Sequence, residues 1–245
     1  MIIAGTDTET TGLDPKKDEI VELALWVCDT RDPSSPLFAY STLFDVNRWN
    51  PEVAKIHKIP EEMSKLGIDT ADIDPYEMLA AYDPQYVLAH RATFDFEFMM
   101  EHWPEVKRWN WMCSKFDLPH EDIIGKYRSS RLMHLAVDYG LPVTSWHRAM
   151  VDAQKVCEIA SFHNLNAAYE RSLEPTFQIK AWGKYSIDHK EKLKEEKFWW
   201  NSEERKWVKE HIVSDELERL VDLANERDDW EVEVEEHPPR SYNAD

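Results

Sequence analysis

The sequence predicts an α/β protein, a mixed five-stranded sheet flanked by helices, followed by a small C-terminal α+β domain. Three observations carry this. Three strand-like segments near the start are joined only by short turns, the mark of an antiparallel meander. Strand-like and helical segments then alternate, which is an α/β layout with a mixed central sheet. The pattern breaks at Arg171-Ser172-Leu173-Glu174-Pro175, after which a new strand-like run begins.

The elements follow in order. The chain opens as an apolar strand, Met1-Ile2-Ile3-Ala4-Gly5, that runs into Thr6-Asp7-Thr8-Glu9 and ends at Thr10-Thr11-Gly12. Leu13 to Asp18 is a turn, and Glu19 to Asp29 is a second, largely buried strand. A turn with two prolines, Arg31 to Pro36, leads to a third strand from Leu37 to Phe44. A loop containing Pro and Asn then passes through Ile56-His57-Lys58-Ile59 to a helix from Glu61 to Leu66, with Pro60 in its first turn and Gly67 at its end. Pro75 to Ala81 is a short helix and Gln85 to Ala89 a short buried strand. Thr93 is placed to cap a helix carrying Phe94, Asp95, Phe98 and Met99, and Trp109 to Ser114 reads as the fifth strand. Ser130 to Tyr139 and Ala149 to Tyr169 both carry helical apolar spacing.

Beyond the break, Phe177 to Tyr185 reads as a strand and Ile187 to Glu196 as a helix. Phe198 to Ile212 reads as a hairpin turning at Asn201-Ser202-Glu203-Glu204. Ser214 caps a helix to Glu226, and Trp230 to Val234 alternates as a last strand. The domains this implies are 1–171 and 177–236, with a flexible tail at 237–245.

Composition narrows the class. With 245 residues, 42% hydrophobic and 12% aromatic, the chain can bury a sizeable core. No apolar run approaches the roughly 18 residues of a membrane span, and the N-terminus lacks a basic stretch with a cleavage site. Neither a membrane span nor a signal peptide is expected. Cys28, Cys113 and Cys157 are widely spaced and form no Cys-x-x-Cys pair, so they read as reduced thiols of a cytoplasmic protein. The net charge of -19 argues against a protein that coats duplex DNA through a broad basic face. A nucleic-acid enzyme is still compatible, because a carboxylate-rich site holding divalent metal is locally far less negative.

Asp7 and Glu9 stand two apart on a strand, so both point the same way while Thr8 points to the other side. Two adjacent carboxylates repel unless a cation sits between them. Gly12 lets backbone approach a ligand closely. Asp95 begins a helix after the fourth strand, His147 follows the loop Val143-Thr144-Ser145-Trp146, and Asp152 lies in the first turns of the helix after it. Each of these alone reads more simply as a helix-terminal acid or a surface histidine.

Together they resemble the three motifs of the DnaQ-like, DEDDh family of 3'-5' exonucleases. The motifs are Asp7-Thr8-Glu9-Thr10-Thr11-Gly12-Leu13, Ala89-His90-Arg91-Ala92-Thr93-Phe94-Asp95 and His147-Arg148-Ala149-Met150-Val151-Asp152-Ala153. The resemblance extends to Ile20-Val21-Glu22-Leu23-Ala24 and Ile56-His57-Lys58-Ile59, covering about residues 1 to 170. It departs at Arg91, where similar proteins usually carry Asn. The resemblance implies an RNase H-like fold and hydrolysis of phosphodiesters at 3' ends of single-stranded nucleic acid, DNA before RNA, releasing nucleoside 5'-monophosphates. It implies two Mg²⁺ or Mn²⁺ ions, with Asp7 bridging both, Glu9 and Asp152 on the nucleophile side and Asp95 on the other. His147 would be the general base, on a loop able to swing in.

Substrate grip would come from Thr8, Thr10, Thr11, Gly12 and His90, with Leu13 as a wedge under the last base. Phe94 and Trp146 read equally well as stacking or packing residues. A ribonuclease of the same family and a catalytically idle polymerase-binding subunit are the competing functions. In the last domain, nine Lys/Arg against seven Asp/Glu over residues 177–212 stand among tryptophans, which suits either a strand-tracking surface or a small core with solvated lysines. The segment Phe198-Trp199-Trp200-Asn201 to Lys206-Trp207 also resembles small C-terminal modules attached to phage and bacterial exonucleases. That domain is where a replication or repair protein partner would bind.

Overall fold

Ile2–Thr10 forms β1, Ile20–Asp29 β2 and Asp32–Leu43 β3, paired antiparallel in sequence order. The computed structural model describes residues 1–127, 129–143, 147–184, 187–227, 229–239 and 242. The third strand begins at Asp32, earlier than the two prolines of the turn suggest, because neither Pro33 nor Pro36 ends it: β3 is an edge strand, where a missing N–H is tolerated. After β3 come α1 (Pro51–His57), α2 (Glu61–Ser64) and α3 (Pro75–Ala80), then β4 (Tyr86–Ala89), α4 (Ala92–His102) and β5 (Trp111–Cys113). Next are α5 (His120–Ile124), α6 (Leu132–Asp138), α7 (Ala149–Ala160) and α8 (Leu165–Ser172). Strands β4 and β5 run parallel to β1, giving a mixed sheet of order β3-β2-β1-β4-β5 with β1 at its centre.

Each face of this sheet buries its own core. Ile3, Ala24, Trp26, Leu88 and Met112 face α6, α7 and α8. Ala4, Leu23, Leu25, Val87 and Trp111 face α3 and α4. With both faces covered, β2 has no polar side, which is why Ile20 to Cys28 is buried throughout, including the charged Glu22.

Local signals explain the differences from the sequence reading. The segment expected as a loop before Ile56 contains α1, because the Asn50 side chain accepts from the Glu52 N–H and Pro51 fits the first helical position. Helix α4 starts at Ala92 with Arg91 as its N-cap, so Thr93 is inside the helix and does not cap it. The expected helix from Ala149 to Tyr169 is two helices: α7 ends at Ala160, and the Asn164 side chain restarts the chain by accepting from the Ala167 N–H. Ser214 is likewise the first helical residue of its helix, after Val213 as cap, and its hydroxyl donates to Glu174.

The chain divides into two units. The first comprises Met1–Tyr169 and Tyr242, and the second runs from Glu170 onward through the described residues to 239. The second unit folds as β6 (Thr176–Gly183), α9 (Ile187–Glu195), β7 (Trp199–Asn201), β8 (Lys206–Ile212), α10 (Ser214–Ala224) and β9 (Trp230–His237). Its antiparallel sheet has the order β7-β8-β6-β9 and packs Ile179, Ala181, Trp207 and Trp230 against Leu193 of α9 and Leu220 of α10. Within the stretch read as a flexible tail, Tyr242 is buried: it packs edge-on to Phe96 and donates a hydrogen bond to Asp117 at 3.2 Å. No described helix is long and apolar enough to cross a membrane.

Candidate active site

The alternation along β1 sends Asp7 and Glu9 to the α7 face and Thr6, Thr8 and Thr10 to the α4 face. Helix α7 crosses β1 at Gly5, where a Cβ would lie 2.2 Å from the Ala153 carbonyl. Only glycine permits that approach, and it brings Asp152, the residue before Ala153, beside the strand's acids. Glu9, His147 and Asp152 each offer a ligand atom, all within 4.8 Å of one another.

Asp95 arrives from the opposite face, in the first turn of α4, and is buried. Its Oδ1 accepts from both the Thr8 N–H and the Thr8 hydroxyl, each at 2.8 Å. The Thr8 N–H is available because β1 pairs with β4 only over Ile3 to Gly5. Arg91, which leads into α4, has φ 70° and ψ 50° in the left-handed region. Asparagine adopts that conformation more readily than other non-glycine residues, so the departure at Arg91 falls on a backbone position with a physical preference.

The acids raise one another's pKa. Burial, then Asp95, Asp152, Glu9 and Glu22, push Asp7 well above the usual carboxylate range. Glu9 is pushed up to about 8 by burial and then by Asp152, Glu22 and Asp95. Burial raises Asp95 to about 7 against the lowering effect of its Thr8 hydrogen bonds. Asp152 rises to about 7, again mainly through burial, with the His147 peptide N–H working the other way. Desolvation and Lys58 lower His147 below its ordinary value, so its ring is neutral near pH 7 and can accept a proton.

This donor set fits a hard divalent cation. The Asp152 Oδ1 is buried with no hydrogen-bond partner, and crowded carboxylates with no cysteine among them are what such an ion neutralises.

Two residues that the sequence reading left without a role hold the third motif in place. Glu22 is 2% exposed on β2, opposite Glu9 in the register. Its carboxylate takes a bidentate pair from Arg148, Nη2 at 2.9 Å and Nε at 3.1 Å, accepts from the Ala149 N–H at 3.2 Å and from Ser41 at 3.2 Å. It thus satisfies the first free N–H of α7, where a negative charge is favoured. His147, just before this clamp, has φ 57°, in the left-handed region that histidine enters more readily than most non-glycine residues. The available signal was a lone acid inside an apolar strand, which must have a partner when buried.

The expected substrate contacts have varied surroundings. Leu13 is 85% exposed beside the acids' strand, open for a wedge. Thr10 donates to the Gly12 carbonyl at 2.6 Å and Thr11 accepts from the Glu19 N–H at 2.9 Å, so both hydroxyls tie the turn together. A Cβ on Gly12 would meet the Asp18 carboxylate 2.2 Å away, so its own turn requires the glycine. Both His90 ring nitrogens are engaged, Nδ1 with Ser114 and Nε2 with the Ser130 carbonyl, each at 2.9 Å, and burial lowers its pKa to about 4. Phe94 is half-buried, 4.8 Å from the Phe98 ring. Trp146 lies outside the described residues.

Comparison with known proteins identifies the family. Residues 5–160 match the RNase_T family model, described as an exonuclease. The DNA polymerase III epsilon subunit of Treponema pallidum is 30% identical over 166 residues, covering 62% of this chain and 72% of the relative. The PolC-type DNA polymerase III of Thermotoga petrophila is 30% identical over 156 residues, covering 62% of this chain but 11% of that protein. Among solved structures, E. coli exonuclease I in complex with a dT13 oligonucleotide shares the fold with a TM-score of 0.55 at 15% identity, over 72% of this chain. The chain spans 48% of that protein's length.

Proposed function

The chain belongs to the DnaQ-like, DEDDh exonuclease family, and on that premise we propose that it hydrolyses the terminal phosphodiester at the 3' end of single-stranded DNA, releasing nucleoside 5'-monophosphates. The observation that carries this reading is the convergence of Asp7, Glu9, Asp95, Asp152 and His147 at one end of β1, with an unpartnered buried oxygen on Asp152. DNA is favoured over RNA because the Treponema relative is a DNA polymerase subunit.

Asp7, Glu9, Asp95 and Asp152 would hold two Mg²⁺ or Mn²⁺ ions. When bound, such ions supply a water acidic enough to ionise near neutral pH and neutralise charge on the leaving oxygen. The protein's own residues do the rest. His147, neutral near pH 7, accepts the proton of the attacking water. Thr8 holds the Asp95 carboxylate in one orientation through two hydrogen bonds, as an outer-shell partner does. Glu22 and Arg148 fix the start of α7, and so the spacing between His147 and Asp152. Leu13 packs under the terminal base, which favours a strand end over an internal bond.

The test is degradation of 5'-labelled DNA and RNA 20-mers side by side, with Mg²⁺ or Mn²⁺, with Ca²⁺, and in excess chelator. Stepwise shortening from the 3' end that needs Mg²⁺ or Mn²⁺ is expected, faster on DNA. Undiminished hydrolysis in chelator would refute the metal reading, and faster loss of RNA would reassign the substrate.

A further inference from the structure

The second unit carries a cleft of about 680 Å³ at the end of β6, between α9 and the β7–β8 hairpin. Its walls are Trp182, Trp200, Trp207 and Trp230. Two of these are fixed parts of the core: Trp207 is 8% exposed, and Trp230, 6% exposed, donates from Nε1 to the Lys184 carbonyl at 3.0 Å. Trp200 is different. It tilts against Trp207 with ring centroids 5.6 Å apart, yet 47% of it is open to solvent. An indole held by a buried neighbour and presented to water is a stacking platform.

Cations line the same cleft. Lys190 and Lys194 stand one turn apart on α9, and Arg205 lies in the hairpin turn. Lys194 is paired with Glu191 at 2.9 Å, but both side chains are about half exposed, so that pair is weak and can exchange for another anion. In a chain of net charge -19, residues 177–212 are a stretch where Lys/Arg outnumber Asp/Glu. The acidic β9 supplies Trp230 to the cleft wall but none of its carboxylates, and Glu233 is paired with Lys206 at 2.9 Å.

We propose that this cleft binds single-stranded nucleic acid, stacking a base on Trp200 and setting the flanking phosphates on Lys190, Lys194 and Arg205. Aromatic faces give sequence-tolerant affinity for unpaired bases, and cations beside them track the backbone. The volume suits one nucleotide-sized group and not a duplex. A proline-rich peptide would use the tryptophans but leave three cations without a role. The proposal rests on the nuclease reading for its substrate class and adds a contact that the second unit makes with a strand.

The experiment uses the full-length protein in chelator, which stops hydrolysis, with a fluorescein-labelled dT 20-mer followed by anisotropy across a salt series. Trp200→Ala should weaken binding by roughly tenfold or more, and Trp200→Phe should restore most of it. Replacing Lys194 and Arg205 together by Gln should lower the slope of log affinity against log salt by about 1.4. With metal present, Trp200→Ala should leave cleavage of a trinucleotide unchanged and raise KM for the 20-mer. Wild-type affinity in Trp200→Ala, equal loss on both substrates, or unchanged affinity for an abasic 20-mer would each overturn the proposal. The two readings fail separately. Binding that depends on Trp200 without cleavage of any oligonucleotide would remove the nuclease and leave the cleft, and the reverse would do the opposite.

Discussion

The metal-free protein should lose stability as pH rises from 7.0 to 8.5. A carboxylic acid whose pKa is higher in the folded state contributes stability below its unfolded value, and that contribution is lost as pH passes through the folded one. Glu9 at about 8 and Asp95 and Asp152 at about 7 all exceed the unfolded values near 4. Across this window Glu9 accounts for about 1.2 kcal/mol and the two aspartates for about 0.8 together, and Asp7 adds to the loss. A total of about 2 kcal/mol or more corresponds to a fall in Tm of about 5 °C or more for a domain of this size. The window starts at 7 because His90 and His163, held near 4, produce the opposite trend while unfolded histidines protonate near 6.5. The buried Cys157 thiol, raised by desolvation, moves in the same direction as the acids. Glu9→Gln removes its own share, so the fall should shrink while keeping its sign. Thermal unfolding by circular dichroism in chelator measures the trend. Mn²⁺ should restore more Tm at pH 8.5 than at pH 7.0, because protons compete less for the ligands. A Tm that is flat or rising over this window would refute the crowding of the four acids.

His147→Ala should slow cleavage by roughly 10²–10⁴-fold while Mn²⁺ still raises Tm, and wild-type turnover would remove the histidine as base. Glu22→Ala should destabilise the first unit by about 1–3 kcal/mol, chiefly because the Ala149 N–H loses its acceptor, while Arg148, 45% exposed, can turn to water. In a thermal-unfolding double-mutant cycle the Glu22→Ala and Arg148→Ala effects should couple by at least about 0.5 kcal/mol, whereas simple additivity would mean the clamp is idle. An oligonucleotide ending in a 3'-phosphate should resist degradation, and efficient cutting of circular single strands would point to an endonuclease.

How far the sequence could be read depends on distance along the chain. The strand carrying Asp7 and Glu9, and the helix starts carrying Asp95 and Asp152, are written in local alternation and short spacing, so fold and carboxylates were legible together. Glu22 was not, because its role depends on lying opposite Glu9 in the strand register and on reaching Arg148 across 126 positions. Thr8 and His90 sit inside the motifs and invite a substrate role, yet their polar atoms are engaged by Asp95, Ser114 and the Ser130 carbonyl. Only folding reveals that competition. Helix α1 was hidden because Asn-Pro signals a loop and a helix start alike.

Tyr242 has a consequence for the first unit taken alone. It follows the second unit in the sequence, yet its ring lies edge-on to Phe96 and its hydroxyl reaches Asp117, so the core on the α4 face of the sheet is completed by a residue outside the continuous stretch 1–169. Cutting the chain after Glu174 would remove that ring along with the second unit, so the shortened protein should unfold at a lower temperature than the first unit of the intact chain.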